Sequence, residues 1–266
     1  MTIFKYEMKQ LKGSIVIWSA ALAVCIFFML PVYIEMLSNA GAMAAPGEFT
    51  GNSFFDVIGT NIEILSTPIG AYSFLTVFVL MASAINGMNL GLGIITKEYM
   101  YGTTDFLFTR PHRRSKIFVS KLLAAASAVF IIGIAYFIAS WAGMVRGTEG
   151  NFDILPFALI AVSIIFMQLL FLTLGMLVGV VFPHIRTPIA IAVGVAFATY
   201  LLGGFSRKMG ILLVGYFSPY IYFDGTRIIL NNGYSSGYMI MFVALLLIFT
   251  ITGHQVFCKK DVMLTS

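Results

Sequence analysis

Six long apolar runs constrain this chain more than any other feature. A helix needs about 20 consecutive apolar residues to cross the hydrocarbon core of a bilayer. Runs of that length occupy residues 14–37, 70–95, 117–142, 154–182, 187–206 and 237–258. They are continuous, whereas strands of a membrane barrel alternate between apolar and polar residues. We therefore predict an all-α, polytopic membrane protein whose residues 1–266 form one transmembrane domain with six spans.

The balance of charged and apolar residues agrees with membrane burial and excludes another class. Only 10% of the residues are charged and 59% are hydrophobic, whereas a soluble domain carries about 25% charged residues. The surplus of apolar side chains must face something other than water. The sixteen Lys and Arg residues are spread thinly between the apolar runs. They form no continuous basic face, so a nucleic-acid partner is excluded.

The placement of the basic residues predicts the orientation in the membrane. If the N-terminus is inside, the inner segments hold twelve Lys and Arg residues and the outer segments hold four. Basic residues are enriched on the cytoplasmic side of membrane proteins. We therefore expect a multi-pass protein of a prokaryotic plasma membrane, with both termini in the cytoplasm.

Two shorter segments are predicted to lie at the membrane surfaces. Ile3, Phe4, Met8 and Leu11 fall near one helical face, which favours an N-terminal amphipathic interfacial helix that turns into the first span at Gly13. Residues 209–223 are apolar, but they are too short to span and contain Pro219. This pattern favours a re-entrant or interfacial segment on the outer side, between spans 5 and 6.

The predicted spans contain few polar groups. Asn86, Asn89 and Gln168 are candidate path or packing residues, because polar side chains inside a membrane helix are often functional. We find no carboxylate pair, histidine cluster or arginine ladder in the spans, which argues against a proton-driven pump, a voltage sensor or an intramembrane protease. No metal site or catalytic residue is predicted, and the chain is not expected to be an enzyme.

Small residues predict close helix packing. The pairs Gly87-xxx-Gly91 and Gly175-xxx-Gly179 would let helix backbones approach each other. We interpret them as packing positions within the chain, with a contact between subunits as the alternative. The sequence has no P-loop, and no Gly-Lys pair occurs in it. If ATP drives this protein, ATP and Mg²⁺ must therefore be bound by a partner, and no cofactor is expected on this chain.

The polar segment between the second and third runs, KEYMYGTTDFLFTRPHRRSK, has the features of a short helix. Thr103 or Thr104 can cap it, and Asp105 suits its positive N-terminal end. Phe106 begins an apolar stretch, and Pro111 stops the helix. The apolar surface favours docking on a partner protein. The alternative is a helix on the membrane surface whose arginines reach anionic lipid.

This segment also resembles the cytoplasmic loop of ABC exporter permeases of the type-2 membrane-domain class. The resemblance is carried by Glu98-x-x-x-Gly102-Thr103, then Pro111, then Arg113 and Arg114, with Lys121 opening the third span. Lys5-Tyr6-Glu7 in the N-terminal helix and Ser218-Pro219 in the outer segment add to it. Asp105 departs from the Glu or neutral residue that follows the Gly-Thr in many members.

The resemblance implies a function and its partners. Residues 98–112 would be a coupling helix on a cytoplasmic ABC ATPase, and a second or sister permease would complete the path. The implied coupling residues are Glu98, Gly102, Thr103, Asp105, Phe106, Pro111, Arg113 and Arg114. The apolar spans suggest hydrophobic or amphipathic cargo, such as a drug, a lipid or an antimicrobial peptide. A secondary transporter or channel, or a non-transporting membrane partner of an ATPase, are the alternatives.

Overall fold

The computed structural model describes residues 2–43, 62–65, 67–100 and 114–259, and all regular structure in these ranges is helical. The helices are α1 (Thr2–Met43), α2 (Ile62–Leu65), α3 (Pro68–Met100), α4 (Arg114–Thr148), α5 (Ile154–Val181), α6 (Pro188–Met209), α7 (Leu212–Gly215), α8 (Pro219–Tyr222), α9 (Gly225–Asn231) and α10 (Ser236–Lys259).

Six of these helices are long and apolar enough to cross a membrane, namely α1, α3, α4, α5, α6 and α10. Each one contains a predicted apolar run or matches it to within a few residues. The prediction of an all-α chain with six candidate spans is confirmed. We call the end of the bundle where α1 begins, α3 ends and α4 begins the inner end, and the opposite end the outer end.

The N-terminal segment differs from its predicted form. α1 continues without a break through Gly13, so the predicted interfacial helix and the first span are parts of one helix. Its buried side continues from Glu7 through Ile15 and Leu22 to Leu30, which keeps one stripe against the bundle. A Cβ atom added to Gly13 would meet no atom within 4 Å, so no close approach requires a glycine there. Continuous packing on one side, mainly against α4, therefore keeps the helix running through the glycine.

The centre of the bundle is the interface between α3 and α5, which the predicted small-residue pairs form. A Cβ atom added to Gly87 would lie 2.4 Å from the Gln168 carbonyl oxygen, and one added to Gly91 would lie 2.2 Å from that of Leu172. On the facing helix, a Cβ on Gly175 would lie 2.5 Å from the carbonyl oxygen of Met88. The interpretation of these glycines as packing positions within the chain is confirmed.

The connection from α6 to α10 folds back into the bundle. The Tyr220 hydroxyl donates a hydrogen bond to the Ala196 carbonyl oxygen at 3.2 Å, and Ser218 packs beside Gly203. Ala196 lies about 20 Å along α6 from Met209, given a rise of about 1.5 Å per residue. The connection therefore returns along α6 toward mid-bundle, and α7 and α8 are each too short to cross. The assignment of residues 209–223 as a re-entrant or interfacial segment stays a prediction.

Candidate functional site

The predicted coupling residues fall mostly outside the described part of the chain. Glu98 lies in the last turn of α3, where the structure describes the backbone alone, and Arg114 begins α4. The remaining coupling residues lie outside the described residues: Gly102, Thr103, Asp105, Phe106, Pro111 and Arg113. The coupling helix over 98–112 therefore stays a prediction, and the site is built from the residues that flank it.

A buried carboxylate joins three helices at the inner end. Glu7 is only 1% exposed, and its Oε1 accepts a hydrogen bond from Lys121 Nζ at 3.0 Å. Its Oε2 accepts from Lys97 Nζ. Lys121 Nζ also donates to the Ile94 carbonyl oxygen at 2.8 Å. We call Glu7, Lys97 and Lys121 the Glu7 cluster.

The Glu7 cluster lies at the two helix ends that border residues 101–113. Lys97 lies just before residues 101–113, and Lys121 lies two turns into the helix that follows them. The carboxylate on α1 thus contacts both helices that border this loop. A buried, hydrogen-bonded ion pair has little freedom to rearrange, because leaving either charge buried alone costs about 3–5 kcal/mol. The cluster therefore holds α1, the end of α3 and the beginning of α4 in one arrangement.

A second contact attaches the beginning of α4 to α10. Ser115 Oγ lies 2.8 Å from His254 Nε2, and the Phe118 ring packs edge-on against the His254 ring. Phe118 also contacts the ring of Phe257. Residues 101–113 thus lead into a helix that is attached to α1 through one polar contact and to α10 through another.

Sequence reasoning noted Glu7 and Lys121 only as parts of the resemblance and did not pair them. The partners are separated by 90 and 114 positions along the chain, so no local pattern connects them. One signal was available: an acid in the N-terminal helix and two bases near the ends of the second and third apolar runs are all predicted to lie at the cytoplasmic end of the spans. Oppositely charged groups at one depth of a membrane protein tend to pair.

The polar residues within the spans differ in how deeply they are buried. Asn86 and Gln168 are fully buried, and their side-chain nitrogen and oxygen atoms make no hydrogen bond among the described residues. They lie on the two sides of the glycine interface, because Gly87, next to Asn86, packs on the Gln168 backbone. Asn89 is half-buried. The structure thus places Asn86 and Gln168 at one interface, and Asn89 is less enclosed.

Replacement of Gln168 by methionine is expected to raise the free energy of unfolding by about 1 kcal/mol. Methionine has a similar shape and removes a buried amide that has no partner, and such a group costs about 1–3 kcal/mol. Thermal unfolding in detergent micelles would measure the change. Gln255→Met is the matched control, because Gln255 is exposed on α10, and it should leave the midpoint unchanged. A lower midpoint for Gln168→Met alone would mean that this amide has a stabilising partner.

An ion pair holds the connection to α10 at the outer end. Arg207 Nη2 donates to Asp224 Oδ2 at 2.9 Å, and Asp224 Oδ1 accepts from the Arg227 backbone N–H at 3.3 Å, which caps α9. The pair borders a cavity of about 20 Å³ between α3, α6 and the connection. That volume holds about one water molecule, so this cavity is too small for a transported molecule.

Comparison with known proteins assigns the chain to a family. The family model described as ABC-2 family transporter protein matches residues 1–262. Searches of curated proteins and of solved structures found no similar chain. The match covers nearly the whole sequence and agrees with the six candidate spans and the all-helical fold. The chain therefore belongs to the ABC-2 transporter family, as a type-2 membrane permease subunit of an ABC transporter.

Proposed function

We propose that this permease is one half of an ATP-driven exporter, coupled to a separate cytoplasmic ATPase through residues 98–112. Members of its family are transport components that associate with ABC ATPases. A second copy or a sister permease completes the translocation path. The cargo is hydrophobic or amphipathic, because the spans offer few polar groups to a passing molecule.

The observation that carries the coupling proposal is the Glu7 cluster. An ATPase that pushes on residues 98–112 moves the end of α3 and the beginning of α4, and both contact the same buried carboxylate on α1. A displacement at the loop is then shared by three spans instead of being absorbed locally.

The glycine interface extends this displacement to a fourth helix. Carbonyl oxygens of α5 occupy the space that a Cβ atom at Gly87 or Gly91 would need, so the backbones of α3 and α5 are in close contact there. We infer that α3 and α5 move as a pair when the end of α3 is displaced. Rocking of rigid helix pairs is a common way to alternate access to a membrane path.

Two substitutions in the loop test the proposal. The permease would be co-expressed with the ABC ATPases of its own genome, reconstituted in liposomes, and assayed for retained ATPase and for phosphate release. We expect Gly102→Pro to reduce ATP hydrolysis by about tenfold or more, because proline fixes φ and removes the backbone N–H just before the predicted cap, and it also restricts the preceding residue. Glu98→Ala should reduce it to a smaller extent.

Asp153→Ala is the matched control for Glu98→Ala. Asp153 is an exposed acid before α5 at the outer end, and its side chain makes no capping hydrogen bond. It should leave hydrolysis unchanged. The coupling proposal is wrong if no ATPase is retained and both loop variants behave as the parent does. Retained, permease-dependent hydrolysis without movement of any hydrophobic or amphipathic cargo would indicate a non-transporting partner of the ATPase.

A further inference from the structure

The exposed face of α1 carries a row of lysines at the inner end. Lys5, Lys9 and Lys12 are all exposed, and their spacing of four and three residues places them on one side of the helix. None of them pairs with a carboxylate among the described residues. Glu7 points to the opposite, buried side. We call Lys5, Lys9 and Lys12 the lysine face.

The exposed surface of α1 becomes apolar within one helical turn after Lys12. Val16 and Ile17 are 66% and 68% exposed, and further exposed apolar residues follow along the helix at Val24, Phe28 and Val32. Lys12 and Val16 are four residues apart, which is about 6 Å along a helix. Because α1 does not break at Gly13, the change from basic to apolar side chains occurs along one continuous helix.

This change of surface identifies what the lysine face meets. The five exposed apolar side chains that follow the lysines require hydrocarbon or another membrane helix as their surroundings. The turn that precedes them then lies at the depth of the phospholipid headgroups, where Lys stems can lie along the acyl boundary while the ammonium groups reach the phosphates. We propose that the lysine face binds the headgroups of anionic phospholipids, and that this lipid supports the ATP-coupled cycle.

Lipid is favoured over a protein partner by continuity. Lys12 lies about 6 Å along the helix from Val16, where the hydrocarbon begins. A cytoplasmic protein that contacted all three lysines would therefore have to extend almost to the hydrocarbon. A lipid headgroup is present at that depth without any further partner. Each basic residue near an anionic surface contributes about fivefold to the affinity, so the three lysines together contribute roughly a hundredfold.

The second half of the proposal rests on the proposed function. The lysine face and Glu7 occupy the same two turns of α1, and Glu7 contacts Lys97 and Lys121 on either side of residues 101–113. Lipid bound at the lysine face restrains this end of α1. Through Glu7 it then restrains the helices that border the loop.

Binding is tested on the purified permease without an ATPase. Native mass spectrometry in detergent would titrate the full chain with phosphatidylglycerol and with phosphatidylcholine. We expect the parent to prefer phosphatidylglycerol, and K5Q/K9Q/K12Q to lose about a hundredfold of that affinity. K5R/K9R/K12R keeps the charges and should bind as the parent does. Glycerol phosphate, which lacks acyl chains, should not displace the lipid at equal concentration.

The outcomes separate the two halves. Equal phosphatidylglycerol affinity of the parent and the Gln variant overturns lipid binding at this face, and displacement by glycerol phosphate would assign it to a free phosphate instead. Loss of binding in the Gln variant supports it, whether or not an ATPase is ever found. In liposomes with the ATPase, hydrolysis should rise severalfold with phosphatidylglycerol for the parent and the Arg variant only. Lipid binding without this rise retains the lipid site and rejects its role in coupling.

Discussion

Lys121→Met is expected to lower the free energy of unfolding by about 3 kcal/mol. Lys121 is fully buried although it is a lysine, and its ammonium group donates to Glu7 Oε1 and to the Ile94 carbonyl oxygen. The substitution leaves the buried Glu7 carboxylate with one ammonium neighbour fewer. Breaking a buried pair costs about 3–5 kcal/mol, and the lower end applies because Lys97 still contacts Glu7.

The same helix provides a control for Lys121→Met. Lys116 is exposed in the first turn of α4, so Lys116→Met should change stability by no more than about 0.5 kcal/mol. Both would be measured by chemical unfolding in micelles. Adding Glu7→Gln to Lys121→Met should cost less than the sum of the single changes, because two charges that depend on each other are removed together. Equal effects of the two methionine variants would contradict the role assigned to the Glu7 cluster.

Gly91→Ala is expected to destabilise the permease by about 2–3 kcal/mol, although alanine is the better helix former. The new Cβ would lie 2.2 Å from the Leu172 carbonyl oxygen and 2.8 Å from the Met176 amide nitrogen. Both atoms belong to the backbone of α5, so no side chain can move aside and the two helices must separate. Overpacking of this kind typically costs about 1–3 kcal/mol. The closeness of two backbone atoms puts Gly91 in the upper part of that range.

Gly93 is the matched control, two residues further along α3. A Cβ at Gly93 meets no atom within 4 Å, so Gly93→Ala should be neutral or stabilising by up to about 1 kcal/mol through helix propensity. Gly91→Ala should therefore lower the thermal midpoint, whereas Gly93→Ala should leave it unchanged or raise it. A stabilising effect of both would show that α3 and α5 are not held as closely as described. The comparison also tests the premise that these helices move as a pair.

Much of the fold could be predicted because hydropathy is a property of local sequence. The six spans were found with their approximate bounds, and the glycine pairs were recognised as packing positions. The helix ends were less predictable: α1 and α4 extend several residues beyond their apolar runs at both ends. At the inner end, the buried Glu7 and the contact between Ser115 and His254 pack these turns against neighbouring helices, which hydropathy does not record.

Less of the candidate site than of the fold could be predicted from the sequence. The loop motif includes Glu98, which lies in the last turn of α3, and Arg114, which begins α4, and their role in coupling stays a prediction. The Glu7 cluster was missed, because its members are far apart along the chain and each of them alone resembles an ordinary interfacial residue. The polar residues Asn86 and Gln168 were selected individually, but not as two sides of one interface.

The sequence alone determined that this protein lies in a membrane, because too few charged residues are available to cover a water-facing surface. Its long apolar runs also determined how many spans the chain can form. It also determined where a polar loop interrupts the spans. Only the tertiary structure decided which sides of the helices meet. That choice placed Glu7 against Lys97 and Lys121, placed Gly91 against Leu172, and left the lysine face of α1 exposed. Contacts of this kind depend on shape and charge brought together from distant positions, and no local pattern encodes them.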